Sequence, residues 1–154
     1  MRIAYSLFLL MTILLSACHR EGPSVDFIVP DGFRGVFQIS PKDGAHPIKL
    51  VNGRYIIEVP SSGTLYVDDM RPFRQWHQER AFFKSGSPLP DSILAGDSDS
   101  IRLHGLSTDS NDNSWWLVGT DSEKEIFHRM SPFNIPLARP LTPRDAEQGA
   151  AANP

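Results

Sequence analysis

Short apolar runs separated by turn residues recur along the chain from about residue 26 to residue 119. In Phe33–Ile39, apolar and other positions alternate approximately, which is the period of a half-buried strand. In Ile48–Val59, two β-rich runs flank Asn52-Gly53, a dipeptide that readily adopts the positive φ angles of a two-residue hairpin turn. This pattern predicts a hairpin, with a further strand over Thr64–Val67.

The second half of the chain carries a similar pattern. Ile101–Leu106 and Ser114–Gly119 predict a second antiparallel pair around a polar loop. Residues 70–84 fit either a helix opened by Pro72 or a loop that enters a strand near Glu79, and we favour the loop. Ser122–Glu125 fits a capping box with Ser122 as the cap, which predicts a short helix through Met130.

These elements predict one mainly β domain over residues 26–133, an antiparallel β-sandwich-like fold with one short C-terminal helix. Thirteen Pro and eleven Gly, spread along the chain, also favour many short elements joined by turns. Residues 134–154 are rich in Pro and Ala and predict a disordered tail. Deletion of residues 141–154 should then leave the melting temperature nearly unchanged.

The amino-terminal segment has the features of an export signal. Arg2 precedes an almost unbroken apolar run, Ile3–Leu15, which is shorter than the ~20 residues that a membrane-spanning helix needs. Residues 1–17 are therefore predicted to be a signal peptide, and residues 18–25 a short polar tether.

Leu15-Ser16-Ala17-Cys18 resembles the lipobox of bacterial lipoproteins. The resemblance implies recognition of Leu15, Ser16 and Ala17 by a signal peptidase, cleavage before Cys18, and acylation of Cys18 on its sulfur and nitrogen. Stable anchoring needs at least two chains or signals, and three acyl chains would satisfy that need. An ordinary signal peptide, or a buried helix with a chance cysteine, are the alternatives. His19, in place of Asp, implies the outer membrane by the sorting rule of enteric bacteria.

Three further segments resemble landmarks of a family of uncharacterised bacterial lipoproteins: Pro30–Gly35, Gly53–Gly63 and Val118–Thr120. The resemblance covers about residues 26–130. It implies a domain of unknown function with a strand-and-turn architecture, and it brings no known catalytic residues.

Composition and charge exclude some functions. The formal net charge is −3, and removal of Arg2 with the leader would make it −4. No dense Lys/Arg cluster is present, which argues against nucleic acid as a partner. Cys18 is the single cysteine, so no intramolecular disulfide can form.

The sequence predicts no catalytic residue, no metal site and no cofactor. The five histidines are far apart, and neither an HExxH pair nor a Gly-x-Ser-x-Gly elbow occurs. Asp109–Asn113 begins like a calcium-binding EF-hand loop, but Ser114 stands where that loop needs Gly and Thr120 where it needs Glu. We interpret it as a polar hairpin loop.

Trp115-Trp116 is the most informative aromatic pair. Neighbouring side chains in a strand point to opposite faces, so one Trp can fill the core. The other is either an exposed contact for a partner or is covered by the following helix or the tail.

The functional prediction is a membrane-anchored lipoprotein without catalytic activity, a binding or structural component of the bacterial envelope facing the periplasm. Its partners would be the membrane, through the lipid on Cys18, and an envelope protein. One alternative is an inhibitor or immunity-type lipoprotein that acts on a periplasmic hydrolase. The other is a hydrolase with a dispersed site, which requires a cleft that gathers a His, a Ser or two acids.

Overall fold

The computed structural model describes residues 23–90, 99–130 and 135–151. The leader, Cys18 and the residues up to 22 lie outside these ranges. In the described part, nine strands and three helices follow one another: β1 (Ser24–Val29), β2 (Gly35–Pro41), β3 (Lys49–Val51), β4 (Arg54–Glu58), β5 (Thr64–Val67), α1 (Arg71–Arg74), β6 (Gln78–Phe83), β7 (Pro88–Leu89), β8 (Arg102–Thr108), β9 (Ser114–Gly119), α2 (Asp121–His128) and α3 (Pro143–Ala151). No helix among the described residues is long and apolar enough to cross a membrane.

The strands form two sheets packed against each other. Sheet A has the order β3-β4-β1-β6-β7 and sheet B the order β5-β2-β9-β8. The mainly β sandwich is confirmed, but its pairing is mixed, because β1 runs parallel to β4 and β6, and β2 runs parallel to β5. The chain passes from sheet A to sheet B after β1, so the strands that later pair with β1 arrive by crossover connections and run in its direction.

Both predicted antiparallel pairs are confirmed. β3 and β4 pair around Asn52-Gly53, whose φ angles of 50° and 76° are those that a two-residue hairpin turn needs. β8 and β9 pair around the polar loop of residues 109–113, with a register shift between Gly105 and Ser107. The one-turn helix α1 and the start of β6 at Gln78 match the favoured interpretation of a loop that enters a strand.

An aromatic core holds the two sheets together. Val25, Phe27 and Val29 alternate along β1 and are completely buried between the sheets. The ring centroid of Trp116 lies 5.1 Å from that of Phe27 and 5.6 Å from that of Phe37. Aromatic contacts at these distances are favourable beyond the area they bury, so this cluster is a central contact between the sheets.

The predicted tether of residues 18–25 is too long at its C-terminal end. Ser24 and Val25 belong to β1, where Val25 pairs with Tyr55 on one side and Glu79 on the other. Val25 is completely buried, because the parallel neighbours of β1 extend as far as its first residues. The folded domain therefore starts closer to Cys18 than the sequence indicated.

The predicted disordered tail is wrong for residues 135–148. Leu141 is 5% exposed and packs with Trp115, Ile126 and Phe127 in a second apolar cluster on the outer face of sheet B. Both guanidinium Nη atoms of Arg139 donate to the carboxylate of Asp145, at 2.5 and 3.0 Å. The tail is ordered because it covers an apolar sheet face that would otherwise contact water.

Gly35 makes room for this tail. Its φ of +112° is unfavourable for other residues, and a Cβ at this position would lie 2.1 Å from the carbonyl oxygen of Arg139. The backbone of β2 at Gly35 therefore packs directly against the backbone of the C-terminal segment at Arg139.

The capping box of α2 lies two residues earlier than predicted. Thr120, not Ser122, is the cap: its Oγ1 accepts a hydrogen bond from the backbone N–H of Glu123 at 3.3 Å. The carboxylate of Glu123 accepts in return from the backbone N–H of Thr120 at 2.9 Å. Thr120 has the extended conformation of a residue leaving β9, and the helix ends at His128 rather than Met130.

Candidate functional site

Cys18, with the recognition residues Leu15, Ser16 and Ala17, lies outside the described residues. Trp115 and Trp116 are within them, and both are buried, at 8% and 4% exposure. Trp116 lies between the sheets, and Trp115 lies on the outer face of sheet B under α2 and the tail. The prediction that one tryptophan of this pair is an exposed contact for a partner is therefore wrong. The alternative is correct: the second tryptophan is covered by the following helix and the tail.

The first recess lies on the side of the sandwich where β6 of sheet A approaches β8 of sheet B. Its volume is about 220 Å³, and it brings together one imidazole, one carboxylate and several hydroxyls. Among its lining residues are His77, Glu79, Ser107, Thr108 and Ser114. This recess meets the first requirement for the predicted dispersed hydrolase site.

Hydrogen bonds fix the imidazole of His77 in this recess. Its Nδ1 lies 2.7 Å from the carbonyl oxygen of Gln75, and its Nε2 lies 3.0 Å from Oε1 of Glu79. The same Oε1 accepts a hydrogen bond from the indole N–H of Trp116 at 3.0 Å. The carboxylate of Glu79 on β6 therefore connects His77, in the segment between α1 and β6, with Trp116 on β9 of sheet B.

Both ring nitrogens of His77 face acceptors, so both act as donors when the ring carries its second proton. The hydrogen bond to Glu79 raises the pKa of His77 above its usual value, against the opposing effect of partial burial. Ser114, in contrast, shares a hydrogen bond of 2.8 Å with the hydroxyl of Thr108. The arrangement favours a protonated His77 paired with the carboxylate of Glu79. A protonated imidazole has no free lone pair, so it cannot activate a serine.

An NMR titration of His77 tests this protonation state. We expect a pKa above 6.5 in the folded protein, and a fall towards 6.5 in Glu79→Gln. Because the folded pKa is raised, the stabilisation from this pair is complete below pH 6.5 and disappears as the pH rises through the folded pKa. A pKa at or below 6.5 would contradict this geometry and reopen the hydrolase interpretation.

The second recess lies on the opposite side of the sandwich, between β4 of sheet A and β5 of sheet B. It has a volume of about 530 Å³, and its walls are mostly aliphatic, including Ile48, Ile56 and Leu65. Tyr66 borders it, and the ammonium of Lys42 lies 4.9 Å from the centre of that ring. Such an apolar recess with a few charged groups at its border can hold an apolar ligand or side chain.

The loop of residues 109–113 is the polar hairpin loop that the sequence predicted. A hydrogen bond from the side-chain amide of Asn113 lowers the pKa of Asp109, and hydrogen bonds from the backbone N–H groups of Asn113 and Asn111 to the same carboxylate lower it further. Asp112 forms an ion pair with Arg74. Among the described residues, no group of three His, Cys, Asp or Glu side chains could hold a metal ion.

A third group of chemically active side chains lies under the start of α2. His104 is almost fully buried on β8, and its Nε2 is 3.3 Å from the carbonyl oxygen of Gly119. Burial lowers the pKa of His104, so this ring stays neutral at pH 7. Arg102 on the same strand lies 3.6 Å from the carboxylate of Asp121. The position of His104 below the helix makes it part of the packing rather than an accessible base.

Comparison with known proteins adds little to this geometry. No protein-family model matches the chain, and no curated protein sequence matches it. A crystal structure of a candidate lipoprotein from Bacillus anthracis superposes on it with a TM-score of 0.43. That protein is 13% identical, and the match covers 63% of this chain and 70% of the other. A likeness of this size assigns neither a family nor an activity.

The large hydrophobic side chains that are most exposed were not among the residues predicted from the sequence. Trp76 is 67% exposed, Leu50 60% and Val51 49%. Trp76 lies two residues before the start of β6, and the other two lie on the edge strand β3. The signal for them in the sequence is a large apolar residue next to a turn. Their position near the same end of sheet A follows only from the parallel pairing of β1 with β4 and β6.

Proposed function

We propose that this chain is a lipid-anchored protein of the bacterial envelope whose β-sandwich binds a partner and performs no catalysis. The observation that carries the proposal is Cys18, the single cysteine, at the end of a lipobox-like sequence and separated from β1 by five residues. Fully extended, the chain from Cys18 to Ser24 spans at most about 20 Å. The sandwich would therefore be held next to the membrane surface.

The described residues support a binding role over a catalytic one. His77 directs both ring nitrogens at acceptors, and His104 is buried, so neither presents a free base to a substrate. The apolar recess between β4 and β5 offers a surface suited to binding. The proposal extends to the periplasmic side of the outer membrane, since His19 rather than Asp follows Cys18.

Substitution of Cys18 by Ala tests the anchor. Labelling of the protein with radioactive palmitate should be lost completely in Cys18→Ala, because the acylated sulfur is removed. Ser16→Gly is the matched control, since it keeps a small residue in the lipobox and should retain labelling. Persistent labelling of Cys18→Ala, or a native protein whose mass shows an unmodified sulfhydryl, would refute the proposal.

A hydrolase is the second candidate function, because the recess between β6 and β8 gathers His77 and Glu79 with Ser107 and Ser114. The NMR titration described above decides between the two, since a serine hydrolase needs a neutral His77 and the binding role does not. The inhibitor or immunity-type role stays a prediction. One stoichiometric hydrolase recovered with the protein from envelope extracts would support it.

A further inference from the structure

The strand register places the amino-terminal ends of three strands side by side. In sheet A, Ser24 of β1 pairs with Arg54 of β4 and with Gln78 of β6. Since β1 is the strand that continues back to Cys18, we call this end of the sandwich the tether end. β1 has six residues, so the opposite end lies about 20 Å farther from the tether.

The tether end carries most of the large hydrophobic side chains that are exposed in the described part of the chain. Four large hydrophobic side chains are exposed in the described part of the chain, and three of them, Leu50, Val51 and Trp76, lie at or next to the tether end of sheet A. The turns at the opposite end are polar instead, and their exposed residues include Asp31, Ser61, Ser62, Ser85 and Ser87. The two ends therefore differ in polarity.

Charge divides the tether end into two sides. Its acidic residues lie on loops that follow or connect strands of sheet B: Asp43, Asp68, Asp69, Asp109 and Asp112. Arg71 and Arg74 pair with Asp69 and Asp112. The sheet A side carries Arg54, whose side chain is half exposed beside the tether strand and lies 3.8 Å from the buried carboxylate of Asp26. Leu50 and Val51 thus lie beside Arg54, and the two arginines that precede Trp76 are each paired with an aspartate of these loops.

We infer that Leu50, Val51, Arg54 and Trp76 form a membrane-docking face, which contacts the headgroup region of the bilayer that holds the lipid on Cys18. This inference rests on the proposed lipid anchor. Trp is enriched at membrane interfaces, aliphatic side chains insert at the headgroup boundary, and Arg attracts anionic headgroups. Because the tether spans at most about 20 Å, docking is intramolecular, and a small face suffices.

Fluorescence quenching in proteoliposomes tests the face. The lipidated protein is reconstituted in vesicles of phosphatidylethanolamine and phosphatidylglycerol that contain a spin-labelled lipid. A bimane label is placed at Gln75→Cys, next to Trp76, or at Ser61→Cys at the opposite end. With Cys18 acylated, the introduced cysteine is the single free thiol. We expect quenching several-fold stronger at position 75 than at position 61.

Quenching is taken as the ratio of the fluorescence in vesicles without and with the spin-labelled lipid, which removes the indole's own effect on a neighbouring bimane. By this measure, Trp76→Ser in the Gln75→Cys protein should reduce the quenching by at least half. Equal quenching at positions 75 and 61 in acylated protein overturns the docking face. A disulfide-linked dimer formed by the unlabelled Gln75→Cys protein, together with absent quenching of the labelled protein, also overturns it, in favour of a second copy as the occupant. The mass of the same sample reports the acylation of Cys18 separately. A free sulfhydryl there refutes the anchor and, with it, this inference.

Discussion

Deletion of residues 141–154 lowers the melting temperature by about 10 °C or more. The deletion removes Leu141 from a cluster with Trp115, Ile126 and Phe127, and it removes the carboxylate that pairs with Arg139. Loss of one buried Leu side chain alone costs about 2–5 kcal/mol. In a domain of this size, each kcal/mol corresponds to about 3–5 °C. Thermal unfolding followed by circular dichroism measures the effect.

Two point substitutions separate packing from chain length in this experiment. Leu141→Ala should reproduce a large part of the decrease, because it leaves a cavity beside Phe127. Arg144→Ala is the matched control, since Arg144 is exposed in the same segment and should change the melting temperature by little. An unchanged melting temperature after the deletion would show that the tail is not part of the folded domain.

Glu123→Ala lowers the free energy of unfolding by about 3–5 kcal/mol, because a buried carboxylate with several partners is lost. Its Oε2 accepts from the guanidinium of Arg34 at 2.5 Å and from the backbone N–H of Thr120 at 2.9 Å. Its Oε1 accepts from the backbone N–H of Leu141 at 3.2 Å. The substitution leaves the backbone N–H of buried Leu141 and the partly buried donors of Arg34 and Thr120 without this partner, and chemical denaturation measures the loss.

Glu125→Ala is the control for this substitution. Glu125 is exposed on the same helix, and it is the residue that the sequence pattern assigned to the capping box. Its loss should change the free energy of unfolding by less than about 0.5 kcal/mol. Equal effects at positions 123 and 125 would contradict the network around Glu123 and restore the cap at Ser122.

Local patterns in the sequence were sufficient for the hairpins. Asn52-Gly53 determines the β3–β4 turn because its two residues adopt positive φ angles at low cost, and apolar runs on both sides supply the strands. The mainly β class follows from the same local signals. The lipobox-like Cys18 was also evident in the sequence, because a leader is recognised by its order of charged, apolar and small residues.

The tertiary structure decided the C-terminal segment. Thr120 and Ser122 both fit an N-cap, and only the contacts of Glu123 with Arg34 and Leu141, far away in the sequence, favour Thr120. A Pro- and Ala-rich tail has a composition typical of disorder, but it lies against an apolar sheet face. The burial of Trp115 under it follows from that contact.

By itself, the sequence determined the local hairpins and predicted the export signal and the lipid anchor, since each depends on residues close together in the chain. The order of the strands, the pairing of His77 with Glu79 and the position of Trp76 near the tether end were decided only by the tertiary structure. These features depend on which distant segments become neighbours. That choice is made by burial of the whole apolar surface, and no short window of sequence contains it.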